Sequence, residues 1–91
     1  MIMIAGQVKI AVTGTAVSIP LDGLIQGVML TALSTNLAGM TVGGSSVTNT
    51  VDGTGNGDIF QPGTIKSMPT QGLNSLYING SSGDIISYVG I

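Results

Sequence analysis

Short runs of alternating apolar and polar residues, separated by turn-forming residues, are the feature that most constrains the fold of this chain. β-Branched residues recur in these runs, and clusters of Gly, Asn, Asp and Ser interrupt them about every 8 to 12 residues. In residues 7–12, for example, Val8, Ile10 and Val12 fall on one side of an extended chain. The pattern is typical of β-strands and predicts an all-β protein.

Seven to nine short strands are predicted, within residues 7–12, 16–20, 24–33, 40–42, 46–51, 58–61, 64–68, 75–78 and 84–89. Residues 24–33 also fit a short helix, because the run is long and apolar. The alternation of Val28, Leu30 and Ala32 with Met29, Thr31 and Leu33 favours a strand that is covered on both faces.

Turn residues predict how some of these strands connect. Residues 6–20 are expected to form a first hairpin, with Pro20 ending its second strand or placing that strand at a sheet edge. Pro62 and Gly63 predict a type II turn. Residues 75–89 are expected to form a last hairpin through a turn at residues 79–83, with Tyr77 and Tyr88 packed across it.

The predicted architecture is one domain, residues 1–91, folded as a compact antiparallel β-sandwich or barrel of jelly-roll-like form. Residues 1–5 are apolar but lack the basic region of a signal peptide, so they are interpreted as a docking arm or a first strand. No apolar run approaches the 18 residues of a membrane-spanning helix, and we expect no membrane partner.

The side chains available for chemistry are few. The chain has no His, Cys, Arg, Glu or Trp and only six charged residues, two Lys and four Asp. A hydroxyl nucleophile needs a base, and neither Lys9 nor Lys66 lies in a Ser-x-x-Lys frame. Neither glycine-rich nucleotide-binding motif is present, and two lysines offer little to nucleic acid phosphates. We therefore expect no enzyme activity, no cofactor and no nucleic acid partner.

Residues 52–58 superficially resemble a calcium-binding loop, because oxygen-bearing side chains occur at alternate positions. A full EF-hand loop ends in a bidentate Glu, which this chain lacks. A plain loop or a partner-contacting loop is the favoured interpretation, with metal binding as the alternative.

Hydrophobic residues make up 43% of the chain and charged residues 7%, against about 25% charged in an average soluble domain. So little charge gives a monomer little protection from association. We therefore expect partner subunits to cover much of its apolar surface.

The motifs of residues 28–90 resemble those of small β-sandwich structural proteins of tailed bacteriophage virions. The similar features are a Val-Gly-x-Ser-Ser-Val strand end at residues 42–47, a Pro-Gly turn at 62–63, and a Leu-Asn-x-Leu-Tyr strand from residue 73 that precedes a Gly-Asp turn. The resemblance implies a capsid decoration or cement protein on the virion surface. Such a protein would act as a homotrimer that bridges subunits of the major capsid protein or another virion protein.

Under this hypothesis the expected partner contacts lie in the apolar start and in the glycine-rich loop. They are Met1, Ile2, Met3, Ile4, Asp52, Asn56 and Asp58. A tail, baseplate or head-fibre component is an open alternative. A host-receptor-binding module is a further alternative, but the few aromatic residues and the absence of Arg disfavour it.

Overall fold

The computed structural model describes residues 4–21, 26–50, 55–70 and 75–91. These ranges contain eight strands: β1 (Ile4–Lys9), β2 (Val17–Pro20), β3 (Gly27–Ala32), β4 (Met40–Gly43), β5 (Asp58–Phe60), β6 (Ile65–Pro69), β7 (Ser75–Asn79) and β8 (Ile85–Gly90). The all-β prediction is confirmed, and the predicted strand within residues 24–33 is correct where the structure describes it. Among the described residues there is no helix of the length and apolarity needed to cross a membrane.

The strands form two antiparallel four-stranded sheets. Sheet A has the order β1-β8-β3-β6, and sheet B has the order β2-β7-β4-β5. The first strand therefore pairs with the eighth, the second with the seventh, the third with the sixth and the fourth with the fifth. A long hairpin rolled into two packed sheets gives this pairing, which is the jelly-roll form of the β-sandwich.

Both predicted terminal hairpins are wrong, because consecutive strands mostly lie in different sheets. β1 belongs to sheet A and β2 to sheet B, and the same holds for β8 and β7. Tyr77 consequently pairs with Ser18 and Gly43 in sheet B, whereas Tyr88 pairs with Gly6 in sheet A. The predicted packing of the two tyrosines across a hairpin is therefore also wrong. Alternation fixes the two faces of a strand, but it does not identify the neighbouring strand.

The hydrophobic core lies between the two sheets. Sheet A contributes Leu30 and Ile86, and sheet B contributes Met40, Phe60 and Ile78; none of these five side chains has measurable solvent exposure. Each of these strands therefore buries alternate residues against the facing sheet, as a two-layer sandwich requires.

The predicted strand at residues 46–51 is wrong over residues 46–50, which form a loop; Val51 lies outside the described residues. This loop packs on the outer face of sheet B, where Val47 is 5% exposed. The hydroxyl of Thr41 donates a hydrogen bond to the carbonyl of Thr48, and the Asn79 amide donates to the carbonyl of Val47 at 3.0 Å. Side chains thus satisfy main-chain groups that strand pairing would otherwise satisfy.

Proline and glycine mark strand ends as predicted. Gly63 has a φ of +87°, and the N–H of Thr64 donates to the carbonyl of Gln61 at 2.9 Å, which confirms the type II turn. Pro20 is the last residue of β2, an edge strand, so that prediction is also confirmed. Pro69 likewise ends β6 at the edge of sheet A.

One flank of the sandwich is closed by a lysine. Lys66 of β6 reaches from sheet A to β5 of sheet B, where its Nζ lies 3.0 Å from Asp58 Oδ1 and 2.8 Å from the Ile59 carbonyl oxygen. The same ammonium group lies 4.9 Å from the centroid of the Phe60 ring. The opposite flank, between β1 and β2, has half-buried apolar side chains packed against the core: Ile4, Val8, Val17 and Tyr88.

Candidate interaction surface on sheet A

The predicted contact residues do not form one site among the described residues. Met1, Ile2, Met3 and Asp52 lie outside the described ranges. Ile4 begins β1, where its half-buried side chain packs against the core. Asn56 and Asp58 are exposed near β5, at the other flank of the sandwich from β1.

The two described loop residues already have partners within the chain. The main-chain N–H of Asn56 donates to Thr48 Oγ1 at 2.9 Å, and the N–H of Thr48 donates to the carbonyl of Asn56 at 3.2 Å. Asp58 is paired with Lys66. In the described portion of the chain, no group of three or more His, Cys, Asp or Glu side chains is placed to hold a metal ion. The 52–58 loop is described only from residue 55, so the plain or partner-contacting loop stays the prediction, with metal binding as its alternative.

The outer face of sheet A carries exposed apolar side chains among polar ones. Its outward-facing residues include Met29 of β3, which is 46% exposed, and Ile65 of β6, which is 62% exposed. Val89 of β8 lies directly beside Met29 in the sheet register, and Ala5 of β1 lies beside Val89. On β6 the residue beside Met29 is Ser67, and Ile65 lies beside Thr31 in the next row. We call this outward-facing surface of sheet A, with its apolar side chains among polar ones, the sheet A face.

A shallow groove of about 350 Å³ lies at one end of the sheet A face. It is lined by Gly27, Val28, Met29, Ser67, Met68, Val89 and Ile91. Ile91 extends the pairing beyond β8, because its N–H donates to the Gly27 carbonyl at 2.9 Å and its carbonyl accepts from the Gly27 N–H at 3.2 Å. The 53% exposed side chain of Ile91 thereby adds apolar surface to the groove.

Electrostatics favour apolar contact on the sheet A face. Lys9 is the one charged side chain among the outward-facing residues of its four strands. A partner that covers the centre of this face would therefore desolvate little charge. Exposed apolar patches of this kind on soluble proteins commonly mark interaction sites.

The two outer faces of the sandwich differ sharply. The loop at residues 46–50 covers part of sheet B, where the Val47 side chain packs over Gly43 and Gly57. Among the described residues no segment covers the sheet A face in the same way. This asymmetry makes the sheet A face the strongest candidate for a partner surface.

Sequence reasoning missed this surface, although one signal for it is present. Residues 24–33 contain apolar residues at both alternating sets of positions, and a strand covered on both faces was the expected explanation. The structure buries Val28, Leu30 and Ala32 in the core, while Met29 stays exposed. Among the described residues the strand is therefore covered on one face, and Met29 on its other face is left free for a partner.

The comparisons with known proteins show no family for this chain. No protein-family model matches this sequence, and no curated protein matches it. One solved structure is similar: a protein from work on Bacillus endospore appendages, which form a family of disulfide-linked pili. It is 14% identical, the alignment covers 98% of this chain and 86% of that chain, and the TM-score is 0.48. The described strands form a β-sandwich of jelly-roll topology, which is defined by their own order in the two sheets.

Proposed function

We propose that this protein is a non-enzymatic structural subunit of a virion, of the capsid decoration or cement type. It would stabilise the shell by binding across neighbouring subunits of the major capsid protein, with the sheet A face as its contact surface. The observation that carries the proposal is the group of apolar side chains on the outer face of sheet A, where Met29 and Ile65 are exposed, Val89 is half-buried and no described segment covers them. The virion setting comes from the resemblance of the turn and strand motifs.

The mechanism would be binding energy alone. Apolar surface withdrawn from water contributes about 25 cal/mol per Å², so each 100 Å² of apolar contact adds about 2.5 kcal/mol before the costs of association. A subunit bound to two neighbouring shell proteins at once opposes their separation, because separation re-exposes that surface to water.

The scarcity of charge also supports a role in tight assembly. Copies of a decoration protein lie close together on a shell, and net charge on each copy adds repulsion. A net charge of −2 on 91 residues keeps this repulsion small. The expected homotrimer is part of the proposal and needs a direct mass measurement.

The first experiment is quantitative mass spectrometry of purified virions from the source of this chain. A molar ratio to the major shell protein near one supports a decoration protein. A ratio of a few copies per hundred points to the tail, baseplate or head-fibre alternative. Absence from the particles refutes a virion role.

A matched pair of variants tests the contact surface. We expect Met29→Asp to abolish co-sedimentation with shells that lack this protein, because the new carboxylate would be buried without a partner. Leu37→Asp is the control, since Leu37 is 84% exposed in the loop beside Asp84, away from the groove. Both variants should keep the wild-type unfolding midpoint. Loss of binding in both, or in neither, contradicts the assignment of the sheet A face.

A further inference from the structure

The edge of β1 is the least protected of the four sheet edges. β2 and β6 each end in proline, which cannot donate a main-chain hydrogen bond, and β5 has three residues. β1 has six residues and no proline. Proteins usually block an open strand edge of this length, because it can pair with another chain.

The main-chain groups on the open side of β1 can be assigned from the register. The N–H of Ile10 donates to the carbonyl of Asp84 at 2.9 Å, continuing the β1–β8 ladder. N–H and C=O groups alternate in direction along a strand, so Val8 and Gly6 also point toward β8. Ala5, Gln7 and Lys9 therefore direct their N–H and C=O groups away from sheet A. In the described ranges, no segment pairs with them.

We propose that β1 pairs with β1 of a second copy of this chain, antiparallel, about a two-fold axis at Gln7. In this register Gln7 lies opposite Gln7 of the second copy, and Ala5 lies opposite Lys9. Ala5, Gln7 and Lys9 then each exchange main-chain hydrogen bonds with the residue opposite, as the hydrogen-bonded pairs of an antiparallel sheet do. Sheet A of each copy becomes half of one continuous eight-stranded sheet.

The charge on β1 selects this register. Each Lys9 lies opposite an alanine, and the two lysines are four residues apart along the strands, about 13 Å. That separation exceeds the screening length of about 10 Å at moderate ionic strength. A register centred on Lys9 would place the two ammonium groups directly opposite each other, which destabilises a strand pair.

The inner face of β1 is complementary to itself in the same register. Val8 of one copy lies opposite Gly6 of the other. The Tyr88 ring already lies over Gly6, where an added Cβ would be 2.8 Å from the tyrosine hydroxyl oxygen. The half-exposed Val8 side chain therefore meets the half-exposed Tyr88 ring of the second copy, and apolar groups on both open flanks become buried.

This pairing is independent of the proposed function, because it uses the edge of sheet A and leaves the sheet A face free. It would double the width of that face. A two-fold contact joins copies in twos, so a three-fold contact would have to be added to it to give a hexamer.

The test compares β1 with the opposite edge of the same sheet. Ser67 of β6 is the matched position, because Ala32 donates to the Thr64 carbonyl and alternation then directs the Ser67 main-chain groups outward. We expect Gln7→Pro to lose the wild-type association in sedimentation equilibrium, since it removes an outward N–H. Ser67→Pro should retain the association. Circular dichroism checks that both variants are folded.

Single-cysteine variants give a second readout that does not depend on proline, since the chain has no cysteine of its own. Gln7 and its symmetry mate would have Cα atoms about 5.5 Å apart, within disulfide range. Gln7→Cys should form a disulfide-linked dimer under mild oxidation at micromolar concentration, at least tenfold faster than Ser67→Cys. Three results would overturn the proposal. They are equal cross-linking rates for the two cysteine variants, a wild-type protein that is monomeric at about 100 micromolar (about 0.9 mg/ml for a 9.1 kDa chain), and a Gln7→Pro variant whose assembly has the same mass as the wild-type assembly.

Discussion

Replacing Asn79 with alanine should be among the most damaging single substitutions in this chain, because one amide joins three segments. Its Nδ2 donates to the carbonyls of Val47 at 3.0 Å and Gly14 at 3.2 Å, and its Oδ1 accepts from the N–H of Gly80 at 2.8 Å. The side chain thus attaches the 46–50 loop and the β1–β2 loop to the end of β7.

The magnitude follows from the burial of these groups. Asn79 is 2% exposed, and Val47 and Gly80 are also buried, so water cannot readily replace the amide at those two partners. A buried polar group left without a partner costs about 1 to 3 kcal/mol. Gly14 is exposed, so its carbonyl can bind water and adds little. We therefore expect Asn79→Ala to lower the free energy of unfolding by about 3 to 5 kcal/mol, out of roughly 5 to 14 for a domain of this size.

Urea unfolding followed by circular dichroism measures this loss. Asn56→Ala is the control, because Asn56 is exposed and only its main-chain groups are hydrogen-bonded; its effect should stay within about 0.5 kcal/mol. Asn79→Asp separates hydrogen bonding from packing. It keeps an acceptor for Gly80 but directs a carboxylate at two carbonyls, so it should be no more stable than the alanine variant. A loss below about 1 kcal/mol for Asn79→Ala would refute the reasoning.

Two further pairs of substitutions test the packing of the 46–50 loop on sheet B and the contacts of Lys66 at the flank between β5 and β6. Gly57→Ala should destabilise the fold by about 1 to 3 kcal/mol in urea unfolding, because Gly57 has a φ of +118° and a Cβ there would lie 2.5 Å from Val47 Cγ2. Gly44→Ala, where an added Cβ meets open space, should be close to neutral, and equal effects of the two would contradict this explanation. Lys66→Met should cost about 1 kcal/mol in thermal unfolding, and Asp58→Asn less, because the hydrogen bond of Lys66 to the main chain of β5 survives in the second variant. The opposite order of these two losses would show that the ion pair is the dominant contact.

Sequence patterning predicted several strands closely, because exposure alternates along strands such as β3 and β6 that lie on the core. β3, β6 and β8 lie within predicted runs, allowing one residue at their ends, and the Pro62-Gly63 turn has the expected backbone geometry. These features depend on neighbouring residues, so a local pattern is sufficient to find them.

Strand pairing depended on information that local patterns do not contain. Residues 75–89 read as a hairpin, yet β7 and β8 belong to different sheets, since the turn between them crosses from one layer to the other. Residues 46–50 alternate like a strand, but Thr41 and Asn79 provide partners for their main-chain groups from other segments. Such long-range side-chain contacts override strand propensity.

The candidate surface was only partly foreseeable. The apolar excess directed attention to partners, which stay a prediction, and the apolar residues at both sets of positions in residues 24–33 indicated a strand with a second face. Which face the chain itself would cover depended on where the 46–50 loop folds. It packs on sheet B, and Met29 therefore stays exposed.

The strand order has a consequence for how the protein is made. The last two strands to be synthesised, β7 and β8, are interior strands of sheets B and A, and each joins strands that are synthesised much earlier. While the ribosome is still adding residues 75–90, β1 and β3 have no strand between them and neither sheet can be completed. β3 can pair with β6 and β4 with β5 before that point, but β1 pairs only with β8 and β2 only with β7. These two strands must therefore stay unpaired until nearly the whole domain has emerged, which favours slow folding and makes the growing chain a natural substrate for chaperones.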